Sequence, residues 1–141
     1  MKQMIRMFAM TLSLLPLFAA AQLPTDQKLV SKVPFEFVAA GKVVPAGQYT
    51  VQKVTDGIPV ISIKNRDANV ALLSSTGTME SKAAASQCAL VFHKYGDRYF
   101  LAAIRIEGSK TVMSLPENKA EAELRAQNVT ATEEILLAQL N

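Results

Sequence analysis

The segment LVFHKYGDRYFLAAI, Leu90–Ile104, carries the single histidine of the 141-residue chain. Lys94, Tyr95, Asp97, Arg98 and Tyr99 follow His93 within six positions. These residue types are sufficient for acid–base work. His93 would be the base, because an imidazole changes charge near neutrality. Tyr95 or Tyr99 would be the acid and Arg98 an anion clamp. Such a base needs an orienting partner and a nucleophile within reach, and the sequence supplies neither nearby. Asp97 adjoins Gly96 and serves the turn. No G-x-S-x-G elbow is present. One His, one Cys and no clustered carboxylates argue against a zinc site. Glu121 and Glu123 read as the charged face of a helix rather than as an acid pair. The catalytic candidates are therefore His93, Arg98 and Tyr95, against a reading in which the cluster has no catalytic role. No cofactor-binding or metal-ligating set is legible.

The structural reading makes the same segment the tip of a hairpin. A two-residue turn at Gly96-Asp97 pairs Tyr95 with Arg98, Lys94 with Tyr99 and His93 with Phe100. Successive strand residues alternate between faces. Val91, His93, Tyr95, Arg98, Phe100 and Ala102 then share one face, and Leu90, Phe92, Lys94, Tyr99, Leu101 and Ala103 the other. Each face is polar near the turn and apolar away from it, as expected of a hairpin emerging from a two-layer core. Arg98 is expected over Tyr95 and Lys94 along Tyr99, cross-strand contacts of about 0.2–1 kcal/mol each. Every residue of the cluster thus has a role in packing or turning without any chemistry.

The elements around it point to an antiparallel β protein. VPFEFVA, from Val33, alternates as a half-buried strand does. AAGKVVPAGQ is a connector broken by Gly41, Pro45 and Gly47. YTVQKV, PVISIK and VALLSS are further strands, with turns at Thr55–Gly57 and in NRDAN. Residues 76–87 read as a surface loop, and TVMSL as a short strand after the hairpin. LPENKAEAELRAQN is rich in helix formers; Ser114 or Leu115 would precede Pro116 at the first helical position, and Asn128 suits the helix end. The closing TEEILLAQLN fits a strand better than a second helix. The expected fold is mainly β, a small antiparallel sandwich or barrel with one helix near the C-terminus. The residues with structural turn roles are Gly41, Pro45, Gly47, Gly57, Gly96 and Asp97.

The start of the chain bears on destination. Lys2 and Arg6 precede an apolar run, Met7–Phe18, and then Ala19–Ala21. That order is the pattern of a secretory leader, with cleavage expected after Ala21. Residues 1–21 are the leader, 22–32 a flexible polar arm, and 33–141 a single β-rich domain. The run is short of the roughly 20 apolar residues a bilayer span requires, and no membrane span is expected once the leader is removed. The chain holds 15 Lys and Arg against 12 Asp and Glu. Without Lys2 and Arg6 the balance is 13 against 12, which leaves no basic block to favour nucleic acid. Cys88 is the only cysteine, so the fold must stand without an internal disulfide, and the thiol is expected to be buried and free. Asn128–Thr130, NVT, matches the glycosylation sequon, a short pattern that recurs by chance.

FEFVAAGKVVPAGQYTV and LVFHKYGDRYFLAAI, followed by LPENKAEAELRA, resemble the hallmarks of a family of short secreted bacterial β-rich proteins of unknown function. The shared features are GK, PAG and Y-x-V, then F-x-x-Y-G-x-x-Y-F-L. The resemblance covers most of the chain after the leader and implies a fold. It carries over no catalytic residue, cofactor or partner. The expected function is an exported, non-catalytic binding or structural module, periplasmic or secreted, acting on an envelope or extracellular partner. One alternative is a carrier of a small apolar ligand between its sheets, and another a small hydrolase or isomerase using His93.

Overall fold

A computed structural model describes residues 27–141 of the chain; the leader and the first residues of the expected arm lie outside the described residues. Within them, two sheets face each other and one short helix lies on the outside of the second. Sheet A runs β12 (Gln139–Leu140), β1 (Lys28–Val33), β4 (Gly47–Lys53), β5 (Val60–Asn65), β6 (Val70–Ser75). Sheet B runs β11 (Thr132–Leu137), β8 (Ala89–Tyr95), β9 (Arg98–Arg105), β10 (Thr111–Ser114), β7 (Gly77–Glu80). The edge of β9 is forked: β10 pairs with its Ala103–Arg105 half, while β2 (Phe37–Ala39) runs parallel to it at Phe100. β3 (Lys42–Val44) closes a hairpin with β2. The helix α1 is Lys119–Ala126. The fold is thus mainly β, a sandwich of two sheets with a single short helix.

Alternation produces the core. Tyr49 and Val51 of β4 point inward, as do Ile61 and Ile63 of β5, and they meet Leu90 and Phe92 of β8 and Leu101 and Ile104 of β9. At the centre Phe37 packs edge-on against Tyr49 and Phe92, with ring centroids 4.9 and 5.2 Å apart. Such pairs add about 0.5–1.5 kcal/mol beyond their buried area. The Tyr49 hydroxyl, buried with its ring, donates to the Pro45 carbonyl at 2.6 Å. Burial pushes this phenol's pKa up, against a smaller downward effect of a hydrogen bond with Asn65. Cys88 is a buried free thiol whose Sγ accepts from the Glu107 amide at 3.3 Å. Both sides of the sandwich are bridged by a chain that changes sheets, β6 to β7 at Thr76 and β11 to β12 at Ala138. Strands that switch sheets make the corners of such packings.

Several boundaries differ from expectation. The arm expected over residues 22–32 gives way to strand from Lys28, because Leu29, Ser31 and Val33 alternate inward. Ser31 disguises the pattern; its buried hydroxyl donates to the Leu137 carbonyl at 3.0 Å. VPFEFVA is not one strand, since β1 ends at Val33 and β2 begins at Phe37, with Pro34 in the break unable to donate to a ladder. Residues 77–80, read as loop, form β7, whose side chains are all exposed and so leave no alternation to detect. The helix starts later than Pro116. Its N-cap is Asn118, whose Oδ1 accepts from the Glu121 amide at 2.7 Å.

Candidate functional site

The hairpin pairs as expected near its tip, with Tyr95 opposite Arg98, Lys94 opposite Tyr99 and His93 opposite Phe100. Gly96 takes φ +60°, with Asp97 beside it in the turn. A bulge between Val91 and Phe92 then shifts the register, so that Val91 opposes Ala103. Ala103 therefore shares the face of Val91, not of Leu90 and Phe92 as simple alternation has it. Lys94 Nζ lies over the Tyr99 ring at 5.3 Å, as expected, but Arg98 sits over Phe100 at 5.2 Å rather than over Tyr95. The other turn residues are dispersed. Gly41 turns β2 into β3, Gly57 lies between β4 and β5, and Pro45 accepts the Tyr49 hydroxyl. Gly47 opens β4 where a Cβ would stand 2.5 Å from Asn65 Nδ2, so that its lack of a side chain permits a close approach. None of these turns gathers around His93.

What does gather there comes from α1. Ala120 and Leu124 pack on Val38, Tyr95 and Phe100 at the outer face of sheet B. That contact places Glu121, 6% exposed, beside His93. Glu121 Oε1 is 2.6 Å from His93 Nδ1 and accepts from the Tyr95 hydroxyl at 3.2 Å. A carboxylate only accepts, so Nδ1 is inferred to carry a proton; in the neutral ring Nε2 then presents its lone pair. The Tyr95 phenol is raised above its ordinary pKa by burial and by the neighbouring Glu121 charge, which its hydroxyl also hydrogen-bonds. It stays protonated and donates at neutral pH.

Beside this trio lies an open groove of about 460 Å³. It runs between α1, β7 and β11 over the outer face of sheet B. Val91, Ala103, Val112 and Leu115 line it with Met79, and His93, Tyr95 and Glu121 stand at the helix side. Arg125 in the last turn of α1 pairs with Glu117, which precedes the helix, at 3.0 Å, and Arg105 approaches Glu133 at 3.9 Å. Two of the three catalytic candidates, His93 and Tyr95, thus converge, while Arg98 is exposed and does not line the groove.

Glu121, expected with Glu123 on the charged face of the helix, is buried against the sheet instead, while Glu123 is exposed. Asn118 and Glu121 fit the spacing of a capping box, in which the carboxylate turns back to the cap. Here it turns to the sheet instead. Its spacing to Leu124 and Ala120 marks the inward side of the helix, but the partner lies 28 residues away, a pairing only the tertiary fold creates.

Chemically, the trio orients an imidazole. No Ser, Thr or Cys among the described residues hydrogen-bonds to His93, and no group of three His, Cys, Asp or Glu side chains among them is placed to hold a metal ion. No helix among the described residues is long and apolar enough to cross a membrane. Comparison with protein-family models gives no match, and comparisons with curated proteins and with solved structures give none either.

Proposed function

We propose that the protein is an exported, non-catalytic binding module whose binding surface is the groove on the outer face of sheet B. The observation that carries this reading is the groove itself, where charged and polar side chains converge over an apolar floor while His93 has an orienting carboxylate but no hydroxyl or thiol hydrogen-bonded to it among the described residues. Binding sites combine an apolar lining with a few placed polar groups in this way. Export is supported by Lys2, Arg6, the apolar run and Ala19–Ala21, and by the resemblance to secreted proteins. N-terminal sequencing of the mature protein should begin at or near Gln22; an intact Met1 on cytosolic protein would refute export.

The carrier alternative is less well supported. The space lined by Leu29, Val51, Ile61 and Ile106 is about 30 Å³, on the scale of a single water rather than of a ligand. An acid–base function has the His93–Glu121 pair in its favour but still requires a nucleophile or bound water in place.

The binding reading is tested by photo-crosslinking in cells of the protein's own host. Crosslinking residues are placed at Met79 and Glu133 in the groove and at Lys64 on the outer face of sheet A. Adducts from the groove positions and none from Lys64 are expected. Adducts from Lys64 alone overturn the assignment of the surface.

A further inference from the structure

Glu121 Oε1 has both of the trio's hydrogen bonds, and Oε2 has none from the described residues. The Glu121 side chain is 8% exposed. Yet Gln27 Oε1 is the only fully enclosed side-chain polar atom without a partner among the described residues. Glu121 Oε2 is therefore not sealed, and Glu121 lines the groove. His93 Nε2 also makes no hydrogen bond within the described residues, and its side chain is 38% exposed. Two acceptors, a carboxylate oxygen of buried Glu121 and an imidazole lone pair of half-exposed His93, thus belong to one hydrogen-bonded unit and have no donor among the described residues.

The surrounding charge has the same sign. Glu80 of β7, Glu117 and Glu121 at the helix, and Glu133 of β11 line the groove against Arg105 of β9 and Arg125 of α1, four carboxylates to two guanidiniums. Both guanidiniums face carboxylates of their own, Glu133 and Glu117. With His93 in the tautomer that donates from Nδ1 and leaves Nε2 as an acceptor, neither the imidazole nor the Tyr95 hydroxyl is a full counter-ion for Glu121. A partly desolvated carboxylate attracts a cation more strongly than one in bulk water.

Resting on the groove as the binding surface, we propose that it takes an organic ammonium group, a primary amine on an apolar body, with Glu121 Oε2 and His93 Nε2 accepting its N–H donors. An ammonium has three donors and no acceptor, the complement of this pair. The apolar body lies along Met79, Val91 and Val112. The bond to Oε2 is charge-assisted and short-range, which distinguishes it from general attraction to an acidic surface.

The probe is n-hexylamine, with n-hexanol and hexanoate as controls, titrated into the full mature chain while the His93 ring resonances are followed by NMR. Hexylamine should shift them saturably, and the two controls should not at the same concentration. Glu121→Gln keeps the side-chain shape and should weaken hexylamine binding about tenfold or more, as loss of a charged hydrogen bond does. Glu123→Gln, altering an exposed carboxylate outside the groove, should bind as the unaltered protein does. Equal binding of hexanol, absence of saturation, or unchanged affinity in Glu121→Gln overturns the proposal.

If Glu121→Gln fails to fold, a second probe decides. The N,N,N-trimethyl analogue of hexylamine keeps the charge and the apolar body but has no N–H to donate. It should bind about tenfold more weakly than hexylamine or not at all, and equal affinity of the two overturns the proposal. Failure of hexylamine with crosslinks still arising at Met79 and Glu133 removes the ammonium assignment and leaves the groove. Hexylamine binding with crosslinks only at Lys64 does the reverse.

Discussion

Gly96 and Asp97 close the β8–β9 hairpin, and only Gly96 takes a positive φ, +60°. That asymmetry fits a hairpin turn with glycine at its first central position. A Cβ added there would meet nothing within 4 Å, so the cost of a side chain is conformational rather than steric crowding by neighbours. Gly96→Val should destabilise the protein by about 1–3 kcal/mol, read as a lower urea midpoint with an unchanged slope. A midpoint equal to that of the unaltered protein would show that the turn tolerates a β-branched residue. Tyr49 and Tyr95 give a second prediction. Burial is the leading cause that raises both phenols above their ordinary value near 10. A raised folded pKa means the contribution is intact below about pH 10, the unfolded value, and is lost as pH rises through the folded values. Tyrosinate absorbance of the folded protein should therefore lag that of the urea-unfolded chain, and stability should fall above that pH. Superimposable titrations of the two states would contradict it. At this scale Gly96 was legible from the chain and Glu121 was not, because turn chemistry is local and a partner for His93 is not.

The β2–β3 hairpin and α1 show what an element requires beyond its composition. Ala40 and Gly41 both lie at positive φ, +49° and +75°. Alanine is strained there, since left-handed backbone brings Cβ close to the following carbonyl. Ala40 is exposed, so Ala40→Asn should relieve strain without disturbing packing and stabilise the protein by about 0.5–1 kcal/mol in urea unfolding. A lowered midpoint would mean that the methyl group is needed. The helix has 8 residues, too few to stand alone in water. It is held by its Asn118 cap, by Ala120 and Leu124 on sheet B, and by the Glu121 trio. Asn118→Ala should cost about 0.5–2 kcal/mol, and amide exchange should quicken in α1 before it does in the sheets. Uniform quickening would place the helix within the global unfolding unit. The helix was legible from Ala, Glu, Lys and Leu. Its start was not, because Pro116 is an acceptable first residue and only the backbone shows that Asn118 supplies the cap. β7 was hidden for the opposite reason: a strand exposed on every residue is defined by its pairing to β10, and its own sequence carries no periodicity.

For the molecule as a whole, stability rests on the interface between the sheets, and Cys88 reports on it. Its Sγ is buried at that interface and bound by the Glu107 amide. A small thiol reagent should label it only as fast as the protein opens, with labelling accelerating in step with urea unfolding. Rapid labelling under native conditions would show that this part of the core is breached without unfolding. The fold class followed from the chain alone, since the alternation of Tyr49 and Val51 with Thr50, and of Ile61 and Ile63 with Ser62, needs only neighbouring residues to specify which side faces the core. Turn positions followed likewise, because glycine and proline act through their own backbone. The tertiary structure alone decided the rest. The chain crosses between sheet A and sheet B at Thr76 and Ala138, the edge of β9 forks between β2 and β10, and the bulge at Val91 moves Ala103 to the outer face. Above all, it brought Glu121 to His93 and Tyr95. That meeting depends on where a short helix docks on a sheet, through apolar contacts with Val38 and Phe100 far away in the chain, and no local pattern encodes the distance between segments that meet only when the core has formed.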